Sequence, residues 1–152
     1  MIEIPSVAWL RERLGQELAI SDWVDVTQQR IDRFAETTGD AQWIHVDPVR
    51  AAAETPFRGT IAHGFLSLSL VSLMARQAMT VGGVRMAINY GLNRVRFISP
   101  VPAGSRIRGR FTPAAAEEGS GGSMTVTWNV TIEREHGDKP AVVAEWLVRY
   151  YQ

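Results

Sequence analysis

From Ile61 to about Thr80 the chain places Phe65, Leu66, Leu68, Leu70, Val71, Leu73 and Met74 almost all the way round a helical wheel. A helix with one apolar stripe needs one partner surface, whereas a helix apolar on all sides needs protein on all sides. The residues that follow can supply it. After Gly82-Gly83, the segments Val84 to Phe97, Ile107 to Phe111, Met124 to Glu133 and Ala141 to Tyr151 are rich in β-branched and aromatic residues, which suit a pleated, half-buried surface. The clearest sets Met124, Val126, Trp128, Val130 and Ile132 against Thr125, Thr127, Asn129, Thr131 and Glu133, the period of two that marks a strand. Turn clusters, Gly119 to Gly122 and Gly137-Asp138-Lys139-Pro140, separate these runs. Helices first and then about four antiparallel-type strands predict an α+β fold, its sheet wrapped on or packed against the central helix.

The segment before this helix is a set of shorter ones. Val7, Leu10 and Leu14 stand at helical spacing behind Pro5 and Ser6 and ahead of Gly15, so residues 1–20 read as an N-terminal helical extension. Ile20 to Val26 reads as a short strand. From Gln28 to Thr38 the apolar set Ile31, Phe34, Ala35 and Thr38 follows i, i+3, i+4, i+7, with Thr27 placed to cap the start and Gly39 the end. Asp47-Pro48 repeats a start signal and predicts a short alanine-rich helix to about Glu54. With 45% apolar residues and no shift in composition along its length, the chain reads as one domain, residues 1–152.

Charge and cysteine content remove several function classes. Sixteen basic and sixteen acidic residues cancel, so the net charge gives no long-range attraction to a nucleic-acid backbone. The absence of cysteine excludes thiolate nucleophiles, disulfides and cysteine-ligated metal sites. The N-terminus lacks the apolar core of a secretory signal, and the run from Gly64 to Met74 is shorter than the ~20 residues that cross a bilayer. A soluble, cytoplasmic protein with no nucleic-acid or membrane partner is expected.

Chemistry is concentrated between Thr38 and Gly64. Asp40 follows the helix-stopping Gly39, and His45 lies five residues on, before the next helix. Both are expected on one connection between helices, where a carboxylate and an imidazole that converge on one water can exchange its protons near neutral pH. Spacing alone leaves the alternative of solvated or capping groups open. His63-Gly64 opens the central helix, where free N–H groups and close backbone approach favour a carbonyl oxygen gaining negative charge. Tight helix packing at Gly64 and a core hydrogen bond at His63 are the alternatives, and for His63 the core role is the reading preferred. Asp40, His45 and His63 have no established metal-ligand spacing. Arg94, Arg96, Arg106 and Arg108 alternate in the strand region and read as a solvated sheet face.

Phe34-Ala35, Thr38-Gly39-Asp40, His45, Asp47-Pro48, Ala51-Ala52 and His63-Gly64-Phe65 together resemble the hydratase signature of the MaoC-like dehydratases, the (R)-specific enoyl-CoA hydratases of the hot-dog fold. Asn89-Tyr90-Gly91-Leu92-Asn93-Arg94-Val95-Arg96-Phe97 with Pro100-Val101 is similar to the NodN-like branch of that family. The resemblance runs from about Ser21 to the C-terminus. It implies that Asp40 and His45 activate a water for addition across a trans-2-enoyl thioester, and that the Gly64 N–H polarises the thioester carbonyl. It also implies a coenzyme A or acyl carrier protein thioester as substrate, no cofactor or metal, and a homodimer. Ser72 stands where some members carry a serine near the site. The family commonly has Asn-Pro where this chain has Gln42-Trp43, so these two residues are expected to alter the pocket. A thioesterase, or a non-catalytic module that binds acyl thioesters, is the alternative on the same fold.

Overall fold

A computed structural model describes residues 1–152. In chain order the elements are β1 (Ile2–Ile4), α1 (Val7–Arg11), β2 (Ala19–Ile20), β3 (Val24–Val26), α2 (Gln28–Thr38), α3 (Trp43–Val46) and α4 (Pro48–Glu54). They continue with α5 (Gly64–Ser69), α6 (Val71–Ala78), β4 (Met79–Val81), β5 (Met86–Phe97), β6 (Ser105–Glu118), β7 (Ser123–Arg134) and β8 (Val142–Tyr151).

The main sheet is antiparallel in the order β2-β6-β7-β8-β5, with β3 also paired to β6. Period two governs its inner face. Val126, Trp128, Val130 and Ile132 of β7 and Val142, Trp146, Val148 and Tyr150 of β8 are buried, and Ile107 and Phe111 of β6 join them. Against this face lie Val71, Met74, Ala75 and Ala78 of α6, completing a core cluster of 27 buried residues. The α+β arrangement read from the sequence is the one observed. β6 extends past its apolar stretch through Pro113 to Glu118, with a register shift between Pro113 and Ala115, because β7 offers it a continuous ladder.

Three expectations need correction. The central helix does not run unbroken from Ile61 to Thr80: Ile61 bridges Pro102, the helix starts at Gly64, turns tighter at Leu70 and ends at Ala78, and Met79 enters β4. Leu70 N–H still reaches the Leu66 carbonyl and Met74 N–H that of Leu70, so the two helices share one path. Nor is this helix enclosed on all sides in the single chain, for Phe65 is 66% exposed and Leu68, Leu70 and Leu73 are only partly buried. Residues 1–20 are not a helical extension. They hold the five-residue α1, capped by Ser6, between two short strands, and Ile4, Val7 and Leu10 are buried in the core. β1 pairs in parallel with β4, which pulled Met79–Val81 out of the helix.

β5 forms one free edge of the main sheet and leaves Met86, Ile88, Tyr90, Leu92 and Phe97 exposed. A twelve-residue edge strand that exposes these apolar side chains is long for one facing water.

Candidate active site

The Gln28–Thr38 helix, α2, ends as its sequence predicts: Gly39 takes the left-handed conformation at φ 76°, and its N–H closes on the Ala35 carbonyl. The chain emerges at Asp40, whose carboxylate accepts from the Gln42 N–H at 3.4 Å and whose own N–H meets the Thr38 hydroxyl at 3.4 Å. This local turn keeps the Asp40 side chain about half exposed, at 55%.

His45 lies not on an open loop but in α3, a single turn closed by the Asp47 N–H on the Trp43 carbonyl. The sequence does not signal it because Gln42, at its start, makes no side-chain cap. His45 is buried, and its Nδ1–H donates to the Ile61 carbonyl at 2.7 Å. A carbonyl accepts only, so the proton is assigned to Nδ1 and a lone pair is left on Nε2. The backbone is pinned as well. Gln28 donates through Nε2 to the His45 carbonyl at 2.8 Å and to Asp32 at 2.7 Å, while its carbonyl oxygen accepts from the Thr60 hydroxyl.

His63 completes the cluster. It is 3% exposed, its Nε2–H donates to the Asp40 carbonyl at 2.9 Å, and its ring stacks on that of His45 with centroids 3.8 Å apart and planes at 28°. Phe34 covers it at 5.0 Å. Its Nδ1 is buried without a partner. A carboxylate oxygen of Asp40, a ring nitrogen of His45 and one of His63 lie within 4.8 Å of one another. For a cation these donors converge poorly. One nitrogen of each ring is already hydrogen-bonded, the free nitrogen of His63 is sealed, and nearly parallel rings aim their in-plane lone pairs side by side.

Burial holds the His45 pKa below its ordinary 6.5; the bond to Ile61 raises it, the His63 ring lowers it and the Asp40 charge raises it, burial prevailing. Neutral imidazole is therefore favoured at neutral pH.

A cavity of about 210 Å³ opens beside this cluster, and His45, Gly64, Ser67, Phe97 and Ser99 are among its walls. The Gly64 N–H, at the first position of α5, has no acceptor in the chain. A Cβ on Gly64 would lie 2.9 Å from two carbons of the Phe97 ring, so close packing alone already favours glycine here.

Asp40, His45 and Gly64 are thus brought to one place, whereas the other expected pocket residues are not. Gln42 is an exposed helix-start residue. Trp43 stacks under the Arg50 guanidinium at 4.2 Å, and neither lines the cavity of His45. Ser72 lies further along the helix in a different cavity. The reasons are local: α3 turns Trp43 towards α4, and eight residues separate Gly64 from Ser72. His63 and Ser67 are the additions. Ser67 is buried in the cavity wall one helical turn after His63, an i, i+4 relation readable in the sequence once His63 is placed in the site. Of the alternating arginines, Arg106 pairs with Glu135, and Arg108 pairs with Glu133 and lies over the Trp23 ring.

Residues 10–135 match the family described as MaoC like domain. The chain is 51% identical over 145 residues to the 3-hydroxyacyl-thioester dehydratase Z of Mycobacterium tuberculosis, covering 95% of each. It is 49% identical over 143 residues to Nodulation protein N of Rhizobium leguminosarum bv. viciae, covering 93% of this chain and 89% of that one. Among solved structures, the (R)-hydratase from A. caviae involved in PHA biosynthesis superposes with a TM-score of 0.66 at 25% identity, covering 88% and 96% of the two chains. A monoamine oxidase regulatory protein from Archaeoglobus superposes with a TM-score of 0.78 at 24% identity, covering 98% and 95%.

Proposed function

Because this chain belongs to the MaoC-like dehydratase family, we propose that it interconverts trans-2-enoyl and (R)-3-hydroxyacyl thioesters by adding and removing water at Asp40 and His45. It has the hot-dog fold of that family and is a hydro-lyase. The observation that carries the site is the convergence of the Asp40 carboxylate and the His45 ring within 4.8 Å, beside a cavity that also holds the free Gly64 N–H.

In hydration, a water sits between the Asp40 carboxylate and Nε2 of His45. Neutral His45 takes one of its protons as the oxygen bonds to the β-carbon of the enoyl chain. Electron density moves to the thioester oxygen, which the Gly64 N–H stabilises. The proton then returns to the α-carbon, so one water is added and the imidazole is restored. Asp40 accepts a hydrogen bond from the water's other O–H throughout and so orients it, and that hydrogen stays on the product hydroxyl. His63 contributes by position. It holds the Asp40 carbonyl with one ring edge and the His45 ring with its face.

The thioester is carried by coenzyme A or acyl carrier protein, whose shared arm leads the acyl group to Gly64. The active unit is a homodimer, its two β5 edges covering each other's exposed Ile88, Tyr90 and Leu92. No helix is long and apolar enough to cross a membrane.

Incubation with crotonyl-CoA tests the reaction: absorbance of the conjugated thioester falls as water adds, and free thiol does not appear. Thiol release without loss of the double bond would make it a thioesterase instead, and no turnover at any chain length would sink the hydratase reading.

A further inference from the structure

Gly64, Leu68, Ser72 and Ala75 recur at three- and four-residue spacing along α5 and α6, and so share one stripe of the helix, with Met79 following at the start of β4. Three hollows follow that stripe. The cavity of His45 and Gly64 comes first, then one of about 260 Å³ beside Leu68 and Ser72, then the largest, about 410 Å³, between Ser72 and Met79. The last two share Ser72, Asn89 and Trp146 as walls. At 1.5 Å of rise per residue, Ser72 stands about 12 Å along the helix from Gly64.

Most of the largest cavity's lining is apolar, as an acyl chain requires, but the wall it shares with the second hollow carries polar groups. Trp146 donates its Nε1–H to the Asn89 side-chain oxygen at 3.2 Å, and the Asn89 amide donates to the Ser72 hydroxyl oxygen at 3.3 Å. Indole N–H is a donor only, which fixes the orientation of the Asn89 amide, and with it the direction of the relay. Ser72, unlike Ser69, does not bond back to the preceding turn, so its own proton has no acceptor in the chain. The relay therefore ends in a free O–H donor between two hollows where a hydrocarbon would offer nothing to it. A plain chain lying there desolvates that donor without replacing its bond; a chain with an oxygen at that depth satisfies it.

Resting on the hydratase reading for the thioester end, we propose that Ser72, oriented by Asn89 and Trp146, is a specificity residue, and that the preferred substrates are thioesters whose acyl chain carries a hydroxyl or keto oxygen about 12 Å beyond the thioester carbonyl, with the apolar remainder of the chain in the 410 Å³ cavity. This class is distinct from the unsubstituted fatty acyl chains that an uninterrupted apolar groove would take.

Saturated chains cannot be hydrated, so their binding tests the relay apart from the reaction. Titration calorimetry on the full chain compares dodecanoyl-CoA with hydroxy- and ketododecanoyl-CoAs whose oxygen is stepped along the outer half of the chain. One position is expected to bind about fivefold to tenfold tighter than the plain chain. Ser72→Ala should bring that ratio of Kd values to near one, and Trp146→Phe, which frees the Asn89 amide, should reduce it. A ratio near one at all positions in the wild type, or a preference that survives Ser72→Ala, overturns the proposal. Crotonyl-CoA turnover by the same preparation is scored separately: its absence counts against the hydratase reading, a flat Kd ratio against the relay.

Discussion

Replacing Gly64 by alanine sets two effects of opposite sign against each other. In a helix, alanine is favoured over glycine by about 0.5–1 kcal/mol, because glycine loses more backbone freedom on folding. Against this, the new Cβ would lie 2.9 Å from two carbons of the Phe97 ring, inside the ~3.5–4.0 Å at which carbon atoms rest together. Overpacking of this kind costs about 1–3 kcal/mol. Phe97 is 47% exposed, and its ring can move aside, so the lower end of that range applies and the clash still wins. Gly64→Ala should destabilise the protein modestly, by less than about 2 kcal/mol, shifting Tm down by a few degrees for a chain of this length. With Phe97→Ala the obstacle is gone, and the same substitution should become neutral or stabilising by up to about 1 kcal/mol. The assay is thermal and urea unfolding of the four proteins of this cycle at one fixed concentration, since association would shift Tm. Equal destabilisation by Gly64→Ala in both backgrounds, or stabilisation in the wild type, would refute the packing account.

Asp40→Asn and His45→Gln should each lower kcat/KM for crotonyl-CoA by roughly a hundredfold or more, because each removes a partner in proton transfer; the half-exposed Asp40 should cost little stability, which circular dichroism would check. The pH dependence carries a definite sign. Folding lowers the His45 pKa below 6.5, so its contribution to stability is full above 6.5 and is lost as pH falls from there through the folded pKa; urea unfolding across that window should show the loss, and His45→Gln should flatten it. The acid limb of kcat/KM should also lie below 6.5. Trp128 is fully buried and donates to the Tyr150 hydroxyl, whose pKa burial pushes up to about 12; Trp128→Phe should cost about 1–3 kcal/mol in urea unfolding by orphaning that hydroxyl. Sedimentation should give twice the 16.9 kDa of one chain, and Ile88→Lys on the free edge should drive it towards the monomer.

How much of this was legible in the sequence depended on whether a residue's task is set by its neighbours in the chain. The α2 helix and its Gly39 stop were readable because amphipathic spacing and a left-handed end are local. Strand β7 was readable because its alternation is strict. The end of α6 was not. Nothing between Met79 and Val81 breaks a helix; only pairing with β1, some eighty residues earlier, makes a strand there. The site divides the same way. Asp40 and His45 stood out by type and spacing, but the standing of His63 depends on a ring stacked 3.8 Å away and a carbonyl 23 residues back, neither of which has a local signature. Gln42 and Trp43 were expected to alter the pocket because they replace the Asn-Pro common in the family, yet one unsignalled helical turn sends them elsewhere.

The short parallel pair of β1 and β4 reaches further than its six residues suggest. Gly82 donates its N–H to the Ile4 carbonyl, and a Cβ on Gly82 would come within 2.5 Å of the Pro5 carbonyl oxygen, so the first residues of the chain lie tightly against the exit of α6. Met79 and Val81, on the partner strand, are walls of the 410 Å³ cavity. The N-terminus thus braces the strand that walls one end of that cavity. Because Ile4 is also buried in the core, the first five residues tie the far end of the cavity to the fold, and trimming them would loosen both.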